Sequence, residues 1–507
     1  MHLDQIDAAS KVAVPPMALQ SVTNNPDGFT PANTIAYAEP RPRPSIDTTL
    51  KDKSDMLTLV EAQRAYFNSN ATKSVTFRVQ QLKRLHSILK ANESAIFKAI
   101  HSDYQKSEFD SFLTEFLVLY DDLEVAIRKV SRWAKTQPAR TNLLNWPSSS
   151  YIIPEPLGVT LVIGAWNYPI QLSLTPVVAS MAAGNTIILK PSELCSATSR
   201  LTAKLINEHF DPAYFKVVEG GIPETTALLD QKFDKIFFTG STPVGRIVYQ
   251  AAAKHLTPVT LELGGKSPVI VTPDCDLDVS VKRLVWAKFL NAGQTCIAPD
   301  YVLVHESVEA AFIEKVKQEI KASNLSIANG NYVQIINERN TARIIGLIDQ
   351  AKVVLGGDSS LTERYIAPTL MTGVEFSDRI MSEEIFGPVL PVLRYSDLDA
   401  AIAQIKLRPK PLSLYLFTND RNTREKILRE VSFGGGCVND AIMHLANGNL
   451  PFGGVGASGM GRYHGEAGFQ GFSHYKSILD KPVWFEPSVK YFPHTSLKLR
   501  LLRWLAG

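Results

Sequence analysis

A cysteine and a glutamate, well separated along the chain, carry the strongest candidate chemistry. In NAGQTCIAP, residues 291–299, Cys296 follows a small, flexible Asn-Ala-Gly-Gln-Thr run that lets the backbone approach a ligand closely. As a thiolate it is a nucleophile; as a thiol it is a small buried hydrophobe. Upstream, Glu262 stands in the apolar setting of VTLELGGKSPVI, residues 259–270. Burial there raises a carboxyl pKa toward that of a useful base, and a structural glutamate at a strand's end fits the same pattern. The Gly-Gly-Lys-Ser of this stretch imitates a phosphate loop. That loop needs a first glycine five residues before Gly265, where Thr260 stands, so the register fails and Lys266 has no assigned role.

Three other stretches bear on ligand binding. In FFTGSTPVG, residues 237–245, a strand over Lys235 to Phe238 runs into Thr239-Gly240-Ser241, with Thr242 as helix cap and Pro243 in the first helical position. Free N–H groups and the positive helix end favour a pyrophosphate; a plain strand-to-helix turn is the alternative. In ILKPSEL, Lys190 closes a strand and Glu193 follows three residues on, placed either to meet ribose hydroxyls or as two solvated turn charges. Gly454, Gly456 and Gly459 spell a formal G-x-G-x-x-G, but NGNLPF before it is no strand, so a tight irregular loop is expected. Without an HExxH, a histidine cluster or a paired acidic set, no catalytic metal is expected.

Elements must position these residues, and 507 residues are too many for one hydrophobic core, so two or three domains are expected. A net charge of +3 with no basic stripe points away from nucleic acid. Cys195, Cys275, Cys296 and Cys437 lie far apart, which fits a reducing compartment better than a disulfide framework. No secretory signal and no run of 18 apolar residues is present. Seven prolines mark residues 1 to about 54 as a loosely docked arm. Helical periodicity follows in MLTLVEAQRAYFNSN, FRVQQLKRLHSILKANESAIFKAIHSDY and FLTEFLVLYDDLEVAIRKVSRWA. After Gly158, strands in VTLVIGAW, NTIILK, FKVVEG and DKIFFTG alternate with helices, one stopped by Gly184 and one capped by Ser196. That rhythm means a parallel, doubly wound α/β sheet, and its return after Cys296 means a second α/β domain.

GAWNYP, LKPSE, FTGSTPVG, LELGGKSP, GQTC, EEIFGPV and LPFGGVGASGMGRYHG occur in this order, and together they resemble the aldehyde dehydrogenase superfamily over about residues 56–480. The stretch from Asn449 to Ser477 is similar to the class 3 branch, which includes fatty-aldehyde dehydrogenases. The resemblance implies that Cys296 is the nucleophile. It implies that the Asn167 amide and the Cys296 N–H hold the oxyanion, and that Glu262 activates the water that hydrolyses a thioester. Lys190 and Glu193 would meet the adenine ribose; Gly240, Ser241 and Gly245 the pyrophosphate; Glu384 and Phe386 the nicotinamide ribose and ring. NAD is the favoured cofactor, with NADP as the alternative. His444 and His464 fall near the substrate entrance without a catalytic role.

The implied architecture is a Pro-rich arm (1–55), a cofactor domain (56–263, with a bridging segment near 139–155), a catalytic domain (264–436), a bridging, dimer-forming segment (437–480) and a tail (481–507). The implied reaction is oxidation of medium- or long-chain apolar aldehydes to acids. An apocarotenal or aromatic substrate, CoA acylation and a non-catalytic binding protein are the rivals; Glu262 argues for water as acyl acceptor. The expected setting is cytoplasmic. In the tail, Leu497, Leu501, Trp504 and Leu505 share a helical face beside Lys498, Arg500 and Arg503, which suits either a membrane interface or packing on the protein itself.

Overall fold

The computed structural model describes residues 53–506, so nearly all of the proline-rich arm lies outside the described residues. The helical lead runs Lys53–Asn68, Val75–Ala91, Glu93–Tyr104 and Leu117–Trp133. The second periodic stretch breaks at Asn92, which ends one helix and starts the next. The third begins with a π turn, Phe112–Phe116, before its α-helix. Gln63 ties the first helix to the core, its side-chain amide donating to the Ile187 carbonyl at 2.8 Å.

Three sheets bear on the site, beside a two-stranded one that pairs Ser359–Ser360 with Tyr365–Ile366. The first orders Gly459–Met460, Val259–Glu262, Lys235–Thr239, Val159–Ile163, Thr186–Lys190 and Phe215–Val217 side by side. All pair in parallel except the two-residue edge strand, where Gly459 lies opposite Glu262. Helix Gln171–Ala183 connects two of these strands with every residue buried, as its all-round apolar sequence requires. Gly184 stops it at φ 95°, where a Cβ would come within 2.6 Å of the Arg78 guanidinium.

The second sheet orders Val353–Leu355, Thr369–Met371, Val389–Tyr395, Tyr301–His305, Pro268–Val271, Ser413–Phe417 and Gly435–Val438. It is parallel apart from its first strand. VTLELGGKSPVI therefore crosses between sheets: Val259–Glu262 belongs to the first and Pro268–Val271 to the second. A third, antiparallel sheet joins Gln137–Ala139, Ser149–Pro156 and Ser473–Asp480.

Two expected caps shift by one residue. Helix Ser196–His209 starts at Ser196, and its first amides, on Ala197 and Thr198, are taken by Asp103 at 2.9 and 3.0 Å. A carboxylate from a distant helix does what a local serine was expected to do. Helix Thr242–Ala253 has Ser241 as its cap, which moves Pro243 to the second helical position.

Candidate active site

The register of the first sheet aligns the strand ends. Ile163 lies opposite Lys190 and near Phe238, and Thr239 lies opposite Glu262. The loops that leave these ends carry Asn167, Glu193 and Gly240, so these residues gather along one carboxyl edge, where open α/β sheets bind ligands.

Cys296 reaches this edge by a strained turn. Helix Leu277–Phe289 ends, and Asn291, Ala292 and Gly293 follow at φ 54°, 52° and 70°. Left-handed conformations at the first two are unfavourable by about 1 kcal/mol each or more, so other contacts must fix them. The Asn291 amide donates to the Asn167 carbonyl at 3.0 Å. Gln294 donates to the carbonyls of Asn291 and Gln334, both at 3.1 Å, and accepts from the Ile336 amide at 3.0 Å. The Asn167 amide donates to the Gln294 carbonyl at 3.1 Å, and the Thr295 and Tyr168 hydroxyls share a bond of 2.6 Å. GAWNYP and GQTC are thus stitched together by side chains. A buried Lys106–Glu115 pair underpins them: Glu115 accepts from the Ile170 amide at 2.8 Å, while Lys106 lies over the Tyr168 ring.

The electrostatics of the site are those of a dry pocket. Burial pushes the Cys296 thiol well up, and the Glu384 and Glu262 carboxylates add to the effect. Glu262 is 3% exposed, and neither carboxylate oxygen has a partner among the described residues. Burial raises its carboxyl far above the ordinary range. Glu384 is pushed up to about 8, by burial first and then by Asp300, with a bond from the Gly265 amide opposing the rise. Its carboxylate packs so closely on Gly264 that a Cβ there would fall 2.0 Å from Oε2. Phe386, at φ 48°, sets its ring edge-on to Trp166, with centroids 5.3 Å apart.

Lys266, which had no assigned role, proves to be an anchor. Its ammonium pairs with Asp300 and donates to the carbonyls of Ile380 and Glu383 at 2.9 and 2.8 Å. Asp300 in turn accepts from the Ile385 amide at 2.9 Å. The loop that carries Glu384 and Phe386 is therefore bound to the segment that carries Glu262.

The remaining candidates line the same edge. Lys190 is buried and pairs with the half-exposed Glu193 at 2.9 Å. The Gly240 amide donates to the Glu262 carbonyl at 3.0 Å. At Gly245 a Cβ would meet the Leu263 side chain at 2.7 Å, and the Ser241 hydroxyl makes no capping bond. Gly454, Gly456 and Gly459 form a tight turn that leads into the strand Gly459–Met460 and opens no helix.

A cavity of about 400 Å³ reaches Thr295 and Tyr168, beside Cys296, past Leu117, Trp286, Leu290 and Ile297. His464 lines it, with Nδ1 2.7 Å from an Asp122 carboxylate oxygen. His464 thus lies on the cavity wall. His444 does not line it; burial pushes this ring down to about 4, and it sits between Ser413 and Cys437.

Comparison with known proteins gives the family. The sequence pattern of the family described as "Aldehyde dehydrogenase family" fits residues 31–478. The chain is 48% identical over 436 residues to 4,4'-diaponeurosporen-aldehyde dehydrogenase of Staphylococcus aureus, covering 85% of this chain and 95% of that protein. It is 46% identical over 433 residues to the rat "Aldehyde dehydrogenase, dimeric NADP-preferring", covering 85% and 96%. A structure of Staphylococcus aureus AldH in its substrate-bound state superposes with a TM-score of 0.87 at 45% identity, over 89% of this chain and 99% of that one. The chain belongs to the aldehyde dehydrogenase family and is an NAD(P)-dependent aldehyde dehydrogenase.

Proposed function

We propose that this enzyme oxidises medium- and long-chain apolar aldehydes to carboxylic acids through a thiohemiacetal and a thioester on Cys296. The observation that carries this reading is a half-buried thiol, within charge contact of a sealed carboxylate that has no partner among the described residues, next in chain to Thr295 and Ile297 on the wall of a largely apolar cavity.

Cys296, as the thiolate, bonds through Sγ to the aldehyde carbon, and the carbonyl electron pair moves to oxygen. One N–H of the Asn167 amide is committed to Gln294, which leaves the other for the oxyanion, together with the Cys296 N–H. Bound NAD(P)⁺ would supply the hydride acceptor, and the carbon on Cys296 loses its hydride to become the thioester. Glu262 then removes a proton from water; the oxygen bonds to the acyl carbon, and the C–S electron pair returns to sulfur.

The residues present fit such a cofactor. Lys190 and Glu193 offer an ammonium and a carboxylate beside the Ser241-capped helix end, whose capping hydroxyl is uncommitted, and Glu384 overhangs a glycine floor. NAD is favoured because a half-exposed carboxylate at Glu193 accepts from ribose hydroxyls and repels a 2′-phosphate. On this reading, residues 56–263 bind the cofactor, 264–436 carry the nucleophile and 437–480 bridge.

A polyene aldehyde such as an apocarotenal is the second reading, favoured by the 48% identity to a relative named for such a substrate. NADH release measured across alkanals of increasing length and one apocarotenal separates the two. Cys296→Ser abolishes NADH formation while cofactor binding persists; retained turnover in that variant overturns the covalent mechanism. We further infer a homodimer, joined through the largely exposed strand Ser473–Asp480, in keeping with the rat relative's name. The helix Ser496–Ala506 presents Leu497, Leu501 and Trp504 to solvent beside Lys498, Arg500 and Arg503, which supports peripheral attachment to anionic membranes. Among the described residues no helix is long and apolar enough to cross a membrane. Equal liposome co-sedimentation of the full chain and of residues 1–495 excludes this attachment.

A further inference from the structure

Glu262 raises a question that its role as base leaves open. It is sealed from solvent, so a proton it takes from water has to leave through the protein before the next turnover. Three polar groups stand beyond it. Tyr463 is 1% exposed, and its hydroxyl faces the Gln171 side chain. Glu262, Cys296 and Asp122 all lie near enough to act on this hydroxyl, with the Gln171 side chain opposing them. The Tyr463 ring stacks on the His464 ring, with centroids 4.2 Å apart and planes 24° from parallel. His464 Nδ1 is held at 2.7 Å from Asp122, which fixes the proton on that nitrogen and leaves Nε2 as an acceptor. Nε2 is buried and without a partner.

The backbone shows how firmly this imidazole is fixed. His464 lies at φ 75°, a region unfavourable for any residue with a Cβ. Asp122 holds it there by accepting from the Gly465 amide at 3.2 Å as well as from the ring. Both His464 and Asp122 line the substrate cavity, as does Gln171, whose amide nitrogen also lacks a partner. A local strain, an orienting carboxylate and an unused nitrogen converge on the boundary between the sealed base and the open cavity.

We propose that Tyr463 and the His464–Asp122 pair conduct the proton gained by Glu262 out to the cavity during thioester hydrolysis. Water gives its oxygen to the acyl carbon and its proton to Glu262. Through cavity water, that proton passes to the Tyr463 oxygen as the tyrosine's own proton moves on to His464 Nε2, since neither step has a direct hydrogen bond. His464 then releases it to the cavity and recovers its lone pair. No electron changes hands, and the three residues act through Glu262 as positioning and relay groups.

The route rests on Glu262 being the hydrolytic base, and stopped-flow NADH formation with saturating NAD and a short aromatic aldehyde separates the two claims. Tyr463→Phe keeps the ring and its stacking; His464→Gly relieves the backbone and opens a hole for added imidazole. In both, the first turnover is expected within about twofold of the parent. Steady-state turnover falls on the order of tenfold to a hundredfold, so a burst of one NADH per site appears. Millimolar imidazole is expected to restore His464→Gly. A first turnover that falls in step with the steady state, or an unchanged steady state in Tyr463→Phe, overturns the route. Glu262→Gln is the control: no burst there overturns the base itself, whereas a burst there and none in Tyr463→Phe overturns only the route.

Discussion

Lys266 and Asp300 form an ion pair at the junction of the two large sheets, and between them they bind backbone groups of Ile380, Glu383 and Ile385. The pair therefore sets where Glu384 and Phe386 stand relative to Gly264. Lys266→Met leaves Asp300 with a mostly buried, uncompensated charge, which costs about 3 kcal/mol of stability. The KM for NAD(P) is expected to rise about tenfold, equivalent to ~1.4 kcal/mol, with the aldehyde KM nearly unchanged. Thermal unfolding and initial-rate kinetics check both outcomes; equal rises in the two KM values would refute the assignment.

Asn167 contributes one amide N–H to the turn before Cys296 and has one to spare. Asn167→Ala is expected to lower kcat/KM by about a hundredfold or more, near 3 kcal/mol of transition-state stabilisation. Cofactor affinity, read by fluorescence titration, should stay put, because no cofactor-facing element rests on this side chain.

Glu384 titrates near 8 in the folded enzyme, against an ordinary value of 4.5. A carboxyl raised on folding favours the folded state at low pH, and that contribution is lost as pH climbs from about 5 through 8. Glu262, also raised by burial, acts with the same sign. The Tm of the cofactor-free enzyme should therefore decline across this window, and Glu384→Gln should flatten the decline. A slope that is unaltered in the variant would remove Glu384 from the account.

Gly293 tolerates no side chain. A Cβ would stand 2.3 Å from the Gly387 carbonyl oxygen, at a φ that L-residues avoid. Gly293→Ala is expected to destabilise the fold by about 2–4 kcal/mol and to displace Cys296. Loss of thiol titration at this one cysteine, together with a lowered Tm, would show both effects.

The parts of this fold written in local patterns were legible before any coordinates. TIILK and KIFFT are buried on both faces of a parallel sheet, so they read as uninterrupted apolar runs. Gly184 announces a helix end because few other residues accept its backbone angles. What resists reading is whatever depends on a distant partner. Asp103 caps a helix 94 residues away. Lys266 finds backbone carbonyls, which no side-chain pattern marks. His464 is oriented by Asp122 across 342 residues of chain, and neither residue reveals the other in sequence. The same holds for the stitches between Asn167 and Gln294, where residue types hint at function and only folding supplies the bond.

The two-residue strand Gly459–Met460 closes the sheet edge beside Glu262. A growing chain emerging from the ribosome can assemble its strands in order and still lack the neighbour that shields the carboxylate. Only when the chain has been made about two hundred residues past Glu262 does that glycine arrive and close the sheet on that side. The sealing of Glu262 is thus deferred until this strand has been made, and products truncated before it lack the neighbour on that side of the carboxylate.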